Sequence, residues 1–255
     1  MAYGCGSAPD FDRLPLHDGL NVAPTERVGP TRAGPGATMT HVAASESIRQ
    51  PDDDVPAGGQ PLGDPDWAPW TPEHVSRRLA GVPVPWCVVG GWALDLFRGE
   101  VTREHEDIEV AVPAGRFAPV REALAPLTFH VVGAGQRWPL DHPAFDVLHQ
   151  TWALDPSTGA YVLDVFREPH EGDTWVCRRD GAITMPYADV VATTPAGIPY
   201  MQPEIVLLFK AKHQRDNDEA DFAGVVDLLT PQRRAWLGSA LRRVHPDHHW
   251  LPSFA

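Results

Sequence analysis

One short segment limits the possible folds more than any other part of the chain. Residues 86–89 form a brief apolar run that predicts a buried strand. Gly90-Gly91 interrupts this run, and residues 92–97 then predict a short helix that ends at Gly99. A strand, a glycine turn and a helix in direct succession indicate a sheet with helices packed against it, because each element must bury its apolar side against another layer.

The remaining pattern predicts more strands, followed by helices. Strand candidates include 108–112 and 161–166, and helix candidates in the C-terminal third are 204–212, 220–229 and 231–244. We therefore predict an α+β fold close to the α/β class: a mixed β-sheet core flanked by helices, with a helical C-terminal portion.

Aromatic residues mark a boundary near residue 66. All nine Trp follow it, whereas residues 1–65 contain two aromatic residues among many Gly and Pro. A segment of this composition buries too little apolar surface to offset the conformational entropy it would lose on ordering. We predict a disordered leader over 1–65, a folded core over 66–200 and a helical portion over 201–255.

Charge and cysteine usage narrow the function classes. The net charge of −13, from 21 basic and 34 acidic residues, disfavours nucleic acid as a partner because its binders need a basic surface. The charge suits a cationic small molecule, although solubility alone also accounts for it. No apolar stretch approaches the roughly 20 residues of a membrane span, and no secretory signal is expected. Widely spaced Cys5, Cys87 and Cys177 predict a reduced, cytoplasmic protein.

Three acidic residues are candidates for a metal site. Asp107 and Glu109 are two apart at the start of the strand 108–112, so the strand period places both side chains on one face. Asp164 lies among apolar residues of the strand 161–166, where an Asp without a partner is unfavourable. Adjacent carboxylates repel each other, and Mg²⁺, which prefers carboxylate and phosphate oxygens, would relieve that repulsion. The alternatives are that Asp107 and Glu109 face solvent at a strand end and that Asp164 faces water on an edge strand.

Two further features suit an anionic ligand. Gly90-Gly91 lets the backbone approach a ligand closely, and the helix that follows offers unpaired N–H groups to phosphate, although such a turn also serves structure alone. Only two of the 21 basic residues are Lys, and both Lys210 and Lys212 fall in one predicted helix. An ammonium is a good point charge for phosphate. We favour Lys210 for this contact and predict a solvated Lys212; the alternative is that both are ordinary surface lysines.

The motif around these residues resembles a known family. The segment Gly90 to Val112 resembles the nucleotidyltransferases of the DNA polymerase β superfamily, and especially the aminoglycoside 2″-adenylyltransferase-like and lincosamide nucleotidyltransferase-like antibiotic-modifying proteins. In these proteins a Gly-Gly turn and a helix precede the run Thr-Arg-x-His-x-Asp-x-Asp. The corresponding run here is Thr102-Arg103-Glu104-His105-Glu106-Asp107-Ile108-Glu109. Residues 161–168 and 203–222 match as well, and the departure is Glu109, where Asp is usual.

The resemblance implies an enzyme, a Mg²⁺-dependent nucleotidyltransferase with 66–200 as its catalytic domain. It would transfer a nucleoside monophosphate, AMP from ATP by preference, to a hydroxyl of a small molecule such as an aminoglycoside antibiotic. Two metal ions would act together. Asp164 would also accept the proton of the acceptor hydroxyl. The implied metal ligands and catalytic residues are Asp107, Glu109 and Asp164, and the implied nucleotide-binding residues are Gly90, Gly91, Arg103 and Lys210.

Several alternatives remain open at this level. The acceptor would otherwise be a lincosamide, an RNA or a protein side chain, and the net charge counts against RNA. The chain would otherwise be a non-catalytic nucleotide- or ligand-binding protein that retains the fold, or a plain interaction domain. His105 would contact phosphate or order its loop. The acidic run from Asp216 to Asp221 predicts a solvated face or, in a cleft, a site for ammonium groups. Residues 245–249 predict a frayed tail.

Overall fold

The computed structural model describes residues 55–254. Residues 1–54 of the predicted leader, and Cys5 with them, lie outside the described residues. The rest of that predicted leader contains a short strand, Gln60–Pro61, which pairs with Gln136 and Arg137, so the sheet begins upstream of residue 66. The stretches 66–200 and 201–255 belong to the same compact unit, and the division between them stays a prediction.

The described part of the chain contains twelve strands, eight α-helices and three short 3₁₀ segments. The strands are β1 (Gln60–Pro61), β2 (Cys87–Val88), β3 (Glu109–Pro113), β4 (Thr128–Gly133), β5 (Gln136–Pro139), β6 (Gln150–Leu154), β7 (Tyr161–Glu168), β8 (His170–Glu171), β9 (Thr174–Val176), β10 (Thr184–Pro186), β11 (Val191–Thr193) and β12 (Pro199–Met201). The α-helices are α1 (Pro72–Arg78), α2 (Gly90–Arg98), α3 (Phe117–Ala123), α4 (Ala144–Val147), α5 (Tyr187–Val190), α6 (Pro203–Lys210), α7 (Asp216–Val225) and α8 (Pro231–Val244). Short 3₁₀ segments are Ala114–Arg116, Val226–Leu228 and Leu251–Phe254.

Nine strands form one mixed sheet, with β3 and β7 side by side near its centre. The order is β1-β5-β4-β6-β7-β3-β2-β12-β11, in which β3 pairs with β7, and β2 with β12, in parallel. A separate antiparallel sheet has the order β10-β9-β8. β6 and β7 are consecutive strands that pair antiparallel. The mixed sheet with its helices confirms the predicted α+β class.

Helices cover both faces of the mixed sheet. The alternating side chains of β3 show which helices pack on each face. Val110 and Val112 join the core that includes residues of α1 and α3. Ala111 joins the other core, which α2, α6, α7 and α8 share. Glu109 lies two residues before Ala111 and therefore points to the face that carries α2 and the C-terminal helices, as its spacing predicts.

The C-terminal segment is packed rather than frayed, so that prediction is wrong. Trp250 is 2% exposed and stacks on Phe222 of α7, with ring centroids 4.1 Å apart. Its indole Nε1–H donates a hydrogen bond to Glu219 Oε2 at 2.9 Å, and the buried His248 contacts the Ala211 carbonyl at 3.0 Å. A large aromatic side chain that buries its ring and bonds its N–H stabilises the segment around it.

The turn between β2 and α2 requires glycine at position 90. Gly90 has a φ of +64°, in the left-handed region where a side chain is strained. A Cβ at this position would also overlap the carboxylate of Glu109 on the neighbouring strand. Glycine therefore serves both the backbone conformation and the close approach of Glu109.

No helix between residues 55 and 254 combines the length and the apolar character that crossing a membrane requires.

Substitution of Trp250 tests the packed C-terminal segment. Trp250→Ala removes a buried ring and should lower the free energy of unfolding by about 3–5 kcal/mol, the usual cost of such a truncation. His249→Ala is the matched control, because His249 is exposed and its contact with Glu219 is a surface pair worth about 1 kcal/mol or less. Urea unfolding measures both values. Equal losses in the two variants would show that the segment contributes no core packing.

Substitution of Gly90 separates backbone strain from steric overlap. Gly99 also has a positive φ, +76°, but a Cβ there would meet no atom within 4 Å. Gly99→Ala should therefore cost about 1–2 kcal/mol, the strain of the left-handed conformation alone. Gly90→Ala should cost clearly more, because Glu109 must move as well. If both variants lose the same unfolding free energy, Glu109 does not depend on the glycine.

Candidate active site

The three predicted carboxylates lie at the middle of the mixed sheet. Glu109 and Asp164 are direct partners in the parallel β3–β7 pair, and Asp107 lies two residues before Glu109. The backbone N–H of Asp164 donates to the Ile108 carbonyl at 2.9 Å, which fixes this register. Asp164 is 2% exposed on an interior strand, so the alternative of an edge-strand Asp that faces water is wrong.

The carboxylates raise one another's pKa values. Burial, followed by the charge of Asp107, raises the pKa of Glu109 to about 7. Burial, followed by the charge of Glu109, holds the pKa of Asp164 well above its ordinary value. Burial also raises the pKa of Asp107. The charged forms are therefore disfavoured as a group, and a cation among them would reverse that.

The donor atoms fit a hard dication, although no closed cage is formed in advance. The Gln150 side-chain N–H donates a hydrogen bond to Asp164 Oδ2, and the Trp152 side chain, at the opposing strand position, acts to lower the Asp164 pKa; the buried Asp164 Oδ1 still has no partner at hydrogen-bond geometry in the described part of the chain. An orphaned carboxylate oxygen beside two further carboxylates suits Mg²⁺, which binds oxygen ligands. Within residues 55–254, no group of three His, Cys, Asp or Glu side chains is already drawn together as a metal site.

Each glycine of the pair Gly90-Gly91 leaves space for side chains of the motif. Gly90 gives space to Glu109, as described above. A Cβ on Gly91 would overlap the Arg103 guanidinium and would lie 2.8 Å from His105 Cε1. The predicted close approach at these glycines is therefore present toward the carboxylate and its loop, and their contact with a nucleotide stays a prediction.

Asp95 of α2, which sequence reasoning missed, orders the loop that leads to the carboxylates. Asp95 is 4% exposed and accepts hydrogen bonds from the Thr102 hydroxyl at 2.6 Å and the Thr102 backbone N–H at 3.2 Å. His105 Nε2 lies 2.6 Å from Asp95 Oδ2, and its ring stacks on Trp92. His105 therefore orders its loop through Asp95. The signal in the sequence was an Asp between two Leu on a predicted amphipathic helix.

Lys210 lies at the site and is held by two carboxylates. Its Nζ is 3.0 Å from Asp218 Oδ1 and 2.8 Å from Asp221 Oδ2. Arg103 Nη2 is 3.6 Å from the same Asp221 oxygen, so Asp221 links the loop before β3 to α6. Asp218 is 0% and Asp221 8% exposed. The prediction of a solvated acidic face is therefore wrong for these two residues, because each neutralises an internal cation.

A cavity of about 810 Å³ opens beside the carboxylates and is lined by basic side chains. Gly90, Asp107 and Glu109 lie on its lining, together with Glu168 and His149. Five further lining residues are basic and together form a cationic wall: Arg178, Arg179, Lys210, Lys212 and Arg215. Sequence reasoning singled out only the two lysines of this wall. The missed signal was the Arg178-Arg179 pair in a turn, whose direction no local pattern gives.

Comparison with known proteins gives one family match and several distant structural likenesses. Residues 73–139 match the family model described as aminoglycoside-2''-adenylyltransferase. Comparison with curated proteins gives no match.

Three solved structures are similar to the chain. The lincosamide antibiotic adenylyltransferase LnuA, lincomycin-bound, is 19% identical over 62% of this chain and 95% of its own, with a TM-score of 0.45. The complex of ANT(2")-Ia with adenylyl-2"-tobramycin is 15% identical over 67% and 94%, with a TM-score of 0.47. The solution structure of ANT(2'')-Ia is 14% identical over 67% and 89%, with a TM-score of 0.46. At these identities and TM-scores, no conclusion rests on the likenesses.

The family match covers the strand, the glycine turn, α2, the loop ordered by Asp95, and two of the three carboxylates. Over residues 73–139, the predicted resemblance to the aminoglycoside 2″-adenylyltransferase family, and with it the predicted enzyme class, a nucleotidyltransferase, is therefore confirmed.

Proposed function

We propose that this protein transfers AMP from ATP to a hydroxyl group of a small-molecule antibiotic, in a reaction that depends on Mg²⁺. One observation carries the proposal: Glu109 and Asp164 are side by side on the central parallel strands, and Asp107 and Glu109 line a cavity that basic residues line as well. This arrangement sets oxygen ligands for a metal next to charges that suit a triphosphate. The aminoglycosides are the acceptor class, in keeping with the family matched by residues 73–139.

The residues of the site divide the reaction between them. Asp107, Glu109 and Asp164 would hold Mg²⁺, predicted as two ions, which lowers the pKa of the acceptor hydroxyl and neutralises charge on the phosphates. Asp164 lies directly beside Glu109, and the family resemblance implies that it accepts the proton of the acceptor hydroxyl. Asp164 therefore takes the proton of the attacking hydroxyl. The bond from the acceptor oxygen to the α-phosphorus forms as the bond from that phosphorus to pyrophosphate breaks.

Basic and backbone groups would bind the nucleotide around the carboxylates. Lys210, held by Asp218 and Asp221, would contact the triphosphate from α6, since it lines the cavity beside the carboxylates. Gly90 and Gly91 begin the helix that follows β2, and their backbone N–H groups suit a phosphate. Arg103 joins this group through the loop before β3.

The proposal includes the cellular compartment and the partners of the enzyme. The described cysteines, Cys87 and Cys177, are free and buried, in keeping with a cytoplasmic enzyme. The partners are the nucleotide and a small-molecule acceptor, and neither nucleic acid nor a membrane takes part.

Incubation with substrates tests the proposal directly. The protein, ATP, Mg²⁺ and a panel of aminoglycosides and lincosamides should yield an antibiotic carrying one added AMP, detected by mass spectrometry, together with pyrophosphate. Removal of Mg²⁺ by EDTA should stop product formation, and added Mg²⁺ should restore it. Nucleotide binding without any adduct over the whole panel would favour a non-catalytic binding protein and refute the transfer.

Substitution of Asp107 tests its role as a metal ligand, and the adjacent Glu106 provides a matched control. Asp107→Ala removes a metal ligand and should reduce turnover by about a hundredfold or more, since the ligands of a catalytic metal act as a unit. Glu106→Ala removes an exposed carboxylate one residue away and should leave turnover within about twofold of the wild type, as usual for surface changes. Comparable turnover in a folded Asp107→Ala protein would contradict the assignment of this residue.

A further inference from the structure

We propose that Arg178, in the turn after β9, binds the pyrophosphate portion of the nucleotide and stabilises the charge that develops on it during transfer. This inference rests on the proposed function and names a residue that neither the motif nor the family match includes, because the match ends at residue 139. The ligand class is a polyphosphate anion.

Arg178 is positioned by two aromatic rings that belong to the catalytic elements. The centre of its guanidinium lies 4.4 Å from the ring of Phe166 and 4.7 Å from the ring of Phe209. Phe166 is on β7, two residues after Asp164, and Phe209 is on α6, next to Lys210. A guanidinium held between two rings keeps its plane fixed, and the N–H groups around its edge stay available for hydrogen bonds.

The nearest counterion of Arg178 does not complete its hydrogen bonding. Glu168 Oε1 lies 3.6 Å from Arg178 Nε, which is beyond hydrogen-bond distance. The Nε atom is buried without a hydrogen-bond partner in the described part of the chain. Glu168 is itself 2% exposed and accepts the Trp175 indole N–H at 3.3 Å. A buried donor on a cation that lacks a bonded acceptor is costly, and an anion bound at the other N–H groups of the guanidinium would offset that cost by pairing the charge.

Arg178 differs in this respect from Lys210. Two carboxylates lie within 3.0 Å of the Lys210 ammonium, so most of its charge is already neutralised by the protein. Arg178 has one carboxylate at a longer distance and lines the same cavity as Glu109. Arg178 therefore has more of its charge and hydrogen-bonding capacity left for a phosphate than Lys210 has.

The positive charge of Arg178 would stabilise the leaving group of the transfer. When the bond between the α-phosphorus and its bridging oxygen breaks, the electron pair passes to pyrophosphate, whose negative charge increases. A planar guanidinium binds phosphate oxygens in pairs and stabilises that increase. Arg178 does so from its position beside Phe166 of β7 and Phe209 of α6, on the cavity that Glu109 also lines.

Arg178→Gln is the informative substitution, since the planar amide retains stacking between the rings and removes the charge. Inorganic tripolyphosphate, titrated calorimetrically without nucleotide or acceptor, should bind this variant about tenfold more weakly or worse, as loss of a charged hydrogen bond predicts. The KM for ATP should rise by a similar factor, with the KM for the acceptor unchanged. Arg121→Gln is the control: it removes the same charge from an exposed position on α3, at the other face of the sheet.

Each outcome of the experiment decides the question. Unchanged tripolyphosphate affinity and ATP KM in a folded Arg178→Gln protein would overturn the inference and leave the proposed function standing. If Arg178→Gln does not fold, Arg178→Lys replaces it: that variant keeps a charge without the planar fork and should bind tripolyphosphate about threefold more weakly, and equal affinity would overturn the inference. If the wild type binds tripolyphosphate through Arg178 but transfers AMP to no acceptor, the anion site stands and the proposed function fails.

Discussion

The repulsion between two carboxylates on neighbouring strands is the constraint around which this protein is built. Glu109 and Asp164 are direct partners across β3 and β7, at the centre of a sheet that has an apolar core on each face. Burial, followed by the charge of a neighbouring carboxylate, raises the pKa of both, so two negative charges are unfavourable in that position. A fold that only needed stability would place apolar residues there. The cation proposed for this site would offset the repulsion between the two carboxylates.

The elements around the carboxylates are arranged to hold them in place. Gly90 leaves the space that Glu109 occupies, and Gln150 on β6 binds one oxygen of Asp164 while the other remains without a partner. Asp95 fastens Thr102 and His105, so the loop that enters β3 is tied to the helix that leaves β2. Asp221 extends this chain of contacts to α6 through Arg103 and Lys210. The C-terminal helices thus position one wall of the site.

Local charge in this protein differs from its overall charge. The chain carries a net −13, yet five basic residues line the cavity beside the carboxylates. Asp218 and Asp221, which in the sequence look like part of a solvated acidic run, are buried against Lys210 and Arg215. Composition therefore predicts solubility and disfavours nucleic acid, whereas the charge that a substrate meets depends on which side chains the fold brings to the cavity.

The sequence by itself determined those features that depend on spacing along the chain. The period of two in β3 places the side chains of Glu109 and Val110 on opposite faces of the sheet. The run 86–99 determines a strand, a glycine turn and a helix. The apolar run around Asp164 marks it as a third candidate, and the family resemblance implies that it joins this group. Only the tertiary structure decided that Asp95 orders the motif loop, that Trp250 closes the C-terminal core, and that Arg178 lies between Phe166 and Phe209. These contacts join residues distant in sequence or on different elements, and no local propensity encodes which side chains meet when helices and strands pack.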